Sequence, residues 1–440
     1  MRTTRTITLF LALAALAAGA LTAAAGQAAS RRTAWTRMSG PGQPGEQLGL
    51  ARTPDGVLHV IWNRGASPTS IYETRLSPAG RALATSTVAT GFDGNGGLAL
   101  LVMPDRSLRL FAAGGIRPGS PAYGINTFTA PSSGGKWSLE SGAYWGGAVA
   151  SSSPVIGATL MKDGRPVTAW RGTAAAGVPP SSIPQTGYQG GMTESQLATD
   201  AGGGGVVLSG VTNAGKGGIY VQKVLPSPGP RTILPLPFVL NDWNTSLSSR
   251  LGAAGVYVGY ADAKAMRLYR YGGATRTLGR GAFASAAICP GPGGRLWVAW
   301  GGPTSGLYIT RTSMSTGAFE PVQKLALPQN GSNGLEFLQC EGSAGPADVF
   351  ADVPGGAARG FFQTHVLARF TLSARAAKSK VTFAALDAGD PVPGVAIAIG
   401  RKHLATGANG LGVATLRPGS YAARATAGGY APVSIRFSVR

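Results

Sequence analysis

Short stretches of alternating apolar and polar residues, broken by glycine-led turns, run along nearly the whole chain. Three of them, residues 55–62, 163–170 and 293–300, superimpose without gaps. Each opens on Asp-Gly or Gly-Gly (Asp55-Gly56, Asp163-Gly164, Gly293-Gly294) and closes on tryptophan (Trp62, Trp170, Trp300). Asp-Gly and Gly-Gly supply the positive φ that a tight hairpin needs, and the alternation that follows has the two-residue period of a strand. Looser copies start near Asp105, Gly205, Gly255 and Gly345, so that seven turn-and-strand units lie between positions 55 and 345. A second recurring strand follows the first: residues 71–77 resemble 307–313, with weaker echoes at 219–223 and 268–271.

A period of roughly 48 residues with about four short strands per unit predicts an all-β fold, a β-propeller over residues 33–372. A single four-stranded sheet cannot bury both its faces, whereas sheets stacked radially bury one another. Seven blades are favoured and six remain open, because the fourth and fifth units are faint. The last unit offers only three strands, at 335–340, 348–353 and 359–365, and its fourth is expected from 33–38, near the N-terminus. Past Thr371 the pattern changes. Residues 373–380 read as a linker. Residues 381–440 read as a small antiparallel β-sandwich, its strands punctuated by Asn409-Gly410 and Pro418-Gly419 turns.

The N-terminus adds a destination. Arg2 and Arg5 precede an apolar run over 7–25, which ends among the small residues Ala23, Ala25, Gly26 and Ala28. This is the layout of a signal peptide over 1–28, expected to be cleaved; an uncleaved anchor is the competing reading. No membrane span is expected after cleavage, and the chain is expected to be secreted. Glycine (68) and proline (30) are abundant, yet 44% of residues are hydrophobic, which favours a turn-rich folded chain over disorder. Only two cysteines occur, Cys289 and Cys340, just upstream of consecutive turn-and-strand units. In an oxidising compartment they are expected to form a disulfide between neighbouring inner strands; the alternative is two small buried thiols. The net charge of +21 suits anionic partners such as acidic glycans, wall polymers or anionic lipid, although the basic residues are scattered.

Two resemblances follow from motifs. The last 60 or so residues resemble carboxypeptidase-regulatory-like domains, which have a transthyretin-like sandwich, through Pro391-Val392-Pro393-Gly394-Val395, Thr406-Gly407-Ala408-Asn409-Gly410, Pro418-Gly419-Ser420-Tyr421 and Gly429-Tyr430. That resemblance implies an accessory module without catalysis. Residues 45–370 are similar to sialidase-type or BNR-repeat propellers. Their Asp-box, Ser-x-Asp-x-Gly-x-x-Trp, is matched in degenerate form by residues 130–137, which keep Gly134 and Trp137 but lack the aspartate and the leading serine. Residues 313–317 are a second degenerate match.

A sialidase-like hydrolase requires an arginine trio, a Tyr–Glu nucleophile pair and an acid/base Asp. Arginine is too abundant to discriminate, so the 18 carboxylates decide more. Asp55, Asp105 and Asp163 belong to hairpin turns. Asp93, Glu194, Asp242 and Glu336 precede inner strands, where a central pocket would be lined, and no pair among them can be assigned. His59, His365 and His403 have no partner at metal-ligand spacing, and neither metal nor cofactor is expected. The inter-blade loops offer Asp93, Tyr144, Trp145, Tyr188, Asp242, Trp243 and Glu336 as ligand-binding candidates. Aromatic rings stack on the apolar faces of sugars, and neighbouring amides and carboxylates bind hydroxyls. Trp62, Trp170, Trp297 and Trp300 are expected in the core. The leading reading is a non-catalytic propeller that binds an extracellular glycan or anionic surface polymer, with no nucleic acid partner. A sialidase-like glycoside hydrolase and a protein-docking adhesion module are the alternatives.

Overall fold

The computed structural model describes residues 35–39, 47–63, 69–92, 97–114, 124–140, 156–170, 173–177, 181–183, 195–212, 218–235, 245–261, 264–302, 306–314, 317–328, 335, 337–353 and 360–440. These residues are all-β apart from one 3-10 turn, Pro292–Gly294. They fall into two compact units. One spans Arg32–Ala368 with Ala388–Asp390; the other spans Arg369–Asp387 with Pro391–Arg440.

The first unit contains seven four-stranded antiparallel sheets. In chain order, their first strands are Gly49–Arg52, Leu98–Val102, Ile156–Leu160, Gln196–Thr199, Thr245–Ser249, Ser285–Gly291 and Phe337–Glu341. Six of the sheets are meanders of consecutive strands. The seventh takes its fourth strand, Thr36–Arg37, from the start of this unit, in register with Gln363 and Phe362. The first strand of each sheet lies against the first strand of the next, and that of the seventh lies against that of the first. The fourth and fifth sheets, faint in the repeat, are complete.

The repeated turn-and-strand unit is the hairpin leading into the second strand of a sheet. Gly56 and Gly164 sit in these turns at φ 86° and 83°, as the Asp-Gly pattern requires. The second strands Leu58–Asn63, Pro166–Trp170, Arg295–Gly302 and Ala347–Val353 are buried at every position, because a neighbouring sheet covers each face. Apolar clusters straddle adjacent sheets. Ile61 and Ile71 of the first sheet pack with Leu108, Leu110 and Phe128 of the second. Leu58, Val60 and Trp62 pack with Phe350 and Phe361 of the seventh. Trp62, Trp170, Trp297 and Trp300 are all buried. Some approaches are close enough to exclude a side chain: a Cβ on Gly157 would lie 2.6 Å from the backbone nitrogen of Leu197 in the next sheet.

The second unit is built from two four-stranded sheets. One contains Thr371–Ala377, Lys380–Asp387 and Leu411–Thr415; the other runs in the order Lys402–Ala405, Ala396–Ile399, Gly419–Thr426, Val433–Val439. Their inner faces share one core, in which Val381, Phe383 and Ala385 meet Ile397, Ile399, Ala423 and Ala425. The linker expected at 373–380 is not one. Thr371–Ala377 is a strand paired along its length with Lys380–Asp387, across a turn with Lys378 at φ 55°. Leu372 points into the core while Ser373 and Arg375 are exposed. An edge strand with one wet face has the composition of a linker, and that similarity misleads a reading by composition.

Candidate functional site

The seven ligand-binding candidates from sequence (Asp93, Tyr144, Trp145, Tyr188, Asp242, Trp243 and Glu336) all lie outside the described residues, as does Glu194. What the described residues bring together is a cavity of about 330 Å³, lined by the first strands of all seven sheets. Its side chains are short aliphatics such as Leu98 and Leu100, the amides Gln47, Gln196 and Gln339, the hydroxyls Thr245, Ser246 and Ser248, and Phe337. None of these lining residues is charged.

The polar side chains of this lining tie the inner strands of different sheets together, and Gln47 reaches from the first sheet to the third. Gln339 accepts from the Leu48 N–H (2.8 Å) and donates to the Leu48 carbonyl (3.1 Å), joining the seventh sheet to the first. Gln196 accepts from the Leu247 N–H (2.6 Å) and donates to the Thr245 carbonyl (3.0 Å). Ser246 accepts from the Ile288 N–H (3.0 Å). Gln47 makes the same paired contact with Ile156, donating at 3.0 Å and accepting at 2.9 Å. Each amide satisfies strand-edge groups that would otherwise face the cavity bare. Cys289 and Cys340, on the first strands of the sixth and seventh sheets, form the expected disulfide with Cα atoms 5.6 Å apart.

Two buried polar clusters lie within the sheets. In the first, His59 Nδ1 is 2.7 Å from Glu73 Oε1, and His59 Nε2 is 3.3 Å from Thr53 Oγ1. This hydroxyl–imidazole–carboxylate order has the form of a nucleophilic relay, but His59 and Glu73 are fully buried and the Thr53 hydroxyl donates to Asp55 (2.6 Å). With no surface for a substrate, the cluster is structural. Glu73 Oε2 also accepts from Ser86 Oγ (3.1 Å), the Gly135 N–H (2.8 Å) and Trp137 Nε1 (3.0 Å). The last two lie in the turn before Ser138–Leu139 of the second sheet, so a carboxylate of the first sheet holds a turn of its neighbour. Burial alone would raise the Glu73 carboxyl. The hydrogen bonds from His59, Trp137 and Gly135 outweigh it and hold the group below the usual glutamate range.

The second cluster joins the first sheet to the seventh. Arg52 reaches Glu341 and Asp348, both at 2.5 Å, and Asp348 also accepts from Gln363 Nε2 (2.7 Å) and faces His365 Nδ1 (2.9 Å). Elsewhere Glu320 pairs with the buried Arg311, and Glu140 with Arg109.

The turn aspartates behave as read from sequence. Asp55, Asp105 and Asp163 each accept the N–H two residues on. Their carboxyls are held below the usual aspartate range, chiefly by the Thr53 hydroxyl, the Ser107 hydroxyl and the Arg165 N–H respectively. No group of three His, Cys, Asp or Glu side chains able to hold a metal occurs among the described residues. No described helix is long and apolar enough to cross a membrane.

Sequence reasoning missed Glu73, Arg52, Glu341 and Asp348. A signal existed for two of them: Glu73 interrupts an otherwise ordinary strand (Ile71-Tyr72-Glu73-Thr74), and Asp348 is set among apolar residues in Ala347–Val353. Charges in such places need partners, but nothing local names them.

No family profile matches the chain, and no curated protein matches it. Among solved structures it is similar to Raptor of Chaetomium thermophilum (12% identity, 76% of this chain, TM-score 0.47), spanning only 29% of that protein's length. It is also similar to the BP39L lectin of Burkholderia pseudomallei (16% identity, 72% of this chain and 98% of that one, TM-score 0.48). A third is AofleA of Arthrobotrys oligospora (14% identity, 67% and 90%, TM-score 0.42). TM-scores below 0.5 assign neither fold nor ligand.

Proposed function

We propose that this chain is an exported, non-catalytic seven-bladed β-propeller carrying a transthyretin-like sandwich, and that it binds an extracellular glycan or other surface polymer. The observation that carries this reading is the way carboxylates are used. Among the described residues of the seven-sheet unit, Asp55, Asp105, Asp163 and Asp200 hold turns through backbone N–H groups, Glu73, Glu140, Glu320, Glu341 and Asp348 are each committed to a cationic or histidine partner, and Asp352 is buried in a second strand. The cavity at the first strands is lined by amides, hydroxyls, aliphatics and backbone. Such a lining suits hydroxyl-rich ligands better than proton transfer. The cyclic contact of the first strands supports the seven-bladed ring, and the cysteine pair supports folding in an oxidising compartment.

A glycan array combined with a fluorogenic sialoside assay tests this reading. Retention of the wild-type chain on a defined glycan, weakened about tenfold or more by Trp243→Ala, is the expected result; tenfold corresponds to about 1.4 kcal/mol. Turnover of the sialoside that Glu336→Gln abolishes would overturn it, and so would a complete lack of retention.

A further inference from the structure

The charge of this protein is unevenly distributed. Residues 369–440 contain ten Lys and Arg against two Asp, a net charge of +8. All ten cations are exposed, and both acids, Asp387 and Asp390, are buried. Tyr430 donates to Asp387 at 2.8 Å. The surface of this stretch therefore has no exposed Asp or Glu side chain with which its own cations can pair. The rest of the chain mixes exposed cations with exposed acids such as Asp55, Asp105 and Asp163.

The sheet Ala396–Ile399, Lys402–Ala405, Gly419–Thr426, Val433–Val439 orders part of this charge. Strand register places His403, Ala398, Arg424 and Ser434 in one row on its outer face, and Ala422 beside Arg436 in the next. Arg424 and Arg436 are thus diagonal neighbours, with backbones about 7–8 Å apart. Between the cations the face carries only alanine, serine and threonine, including Ala396, Ser420, Thr426 and Ser438. The aromatic side chains Tyr421 and Phe437 alternate to the opposite side, against the core. The face is therefore cationic and low in relief. It has no large apolar side chain to enter a bilayer and no aromatic ring on which a nucleobase could stack. Exposed guanidiniums on such a surface favour carboxylate, sulfate or phosphate oxygens spaced along an extended polymer.

We infer that this outer sheet face is the docking site of a linear acidic polysaccharide, with Arg424 and Arg436 as its anionic-group contacts and His403 at its edge. The inference deepens the surface-polymer reading above and rests on it. It locates the contact on the C-terminal unit and makes the polymer anionic.

The test measures binding of the full chain to polygalacturonate and dextran sulfate, with uncharged dextran, phosphatidylglycerol vesicles and duplex DNA alongside. Wild-type protein is expected to bind both acidic polymers, more weakly as salt rises. Arg424→Glu/Arg436→Glu should lose about tenfold or more in affinity, equivalent to about 1.4 kcal/mol, and Arg424→Gln/Arg436→Gln should lose less. Arg81→Glu/Lys162→Glu, which removes the same charge from exposed positions of the seven-sheet unit, should change affinity by less than about twofold, or 0.4 kcal/mol. Equal losses in the two reversal variants would overturn the site, leaving attraction by net charge. Tighter binding to vesicles or DNA than to the acidic polymers would overturn the occupant. If the wild-type chain binds no polymer, acidic or neutral, the broader reading fails; if it binds and both reversals match wild type, only this inference fails.

Discussion

The two units use charge in opposite ways. In the seven-sheet unit, charged side chains work inside the fold: Arg52 is held between Glu341 and Asp348, Glu73 supports both His59 and a turn of the next sheet, and Arg311 pairs with Glu320 while stacking 5.0 Å over Trp297. In the C-terminal unit a continuous apolar core holds the two sheets together, and every cation lies outside it. The difference follows from architecture. Seven small sheets must be matched edge to edge, and the pairs of Arg52 with Glu341 and Asp348 join the first sheet to the seventh. A two-sheet sandwich has a single interface, which Phe383 and its neighbours fill. Charge that the fold does not need is free to serve a ligand.

The largest expected effect breaks this contrast from the first unit. Arg52→Ala leaves Asp348 and Glu341 buried without their cation and should cost about 3–5 kcal/mol. In chemical denaturation the loss should fall on the transition of the seven-sheet unit and spare that of the C-terminal unit. Replacing Cys289 and Cys340 together by alanine opens a loop between residues 51 apart in sequence and should cost about 3–4 kcal/mol on the same transition. Reduction of the wild-type chain should reproduce it.

A pH experiment sharpens the comparison. Because Glu73 is held below the ordinary glutamate value of 4.5 in the folded state, its contribution is complete above about pH 4.5. It is lost as pH falls through the lower folded value. Wild-type melting temperature should therefore drop on acidification below that point. Glu73→Gln should be less stable at pH 7 by about 1–3 kcal/mol and should show a shallower acid decline. The smallest effect comes from the other unit: Arg424→Glu/Arg436→Glu should change stability by no more than about 0.5 kcal/mol in the same denaturation experiment. A large loss there would mean that these arginines support the fold.

Legibility in the sequence tracked the range of the interactions. The hairpins into the second strands were readable because Gly56, Gly164 and Gly293 adopt positive φ within a few residues of the strands they start. The joining of the two ends of the seven-sheet unit in its seventh sheet was readable too, since 33–38 was expected to supply the strand that the last unit lacked. The strand Thr371–Ala377 was not, because its exposed Thr371, Ser373 and Arg375 hid the buried Leu372. The polar clusters were invisible for a different reason. Arg52 and its partners lie 289 and 296 residues apart, and no local pattern links them.

The sequence by itself determined the strand period, the turn chemistry and the placement of the two cysteines on neighbouring first strands, and it favoured seven units over six. These depend on backbone conformation and side-chain alternation, which are set by residues close together along the chain. Only the tertiary structure decided which charges are consumed and which are left over. Whether an arginine meets a carboxylate depends on which sheet edges touch, and whether an aspartate is exposed depends on what covers it. Basic residues that look alike in the sequence thereby become members of buried ion pairs in one unit, such as Arg52 and Arg311, and an exposed cationic face in the other.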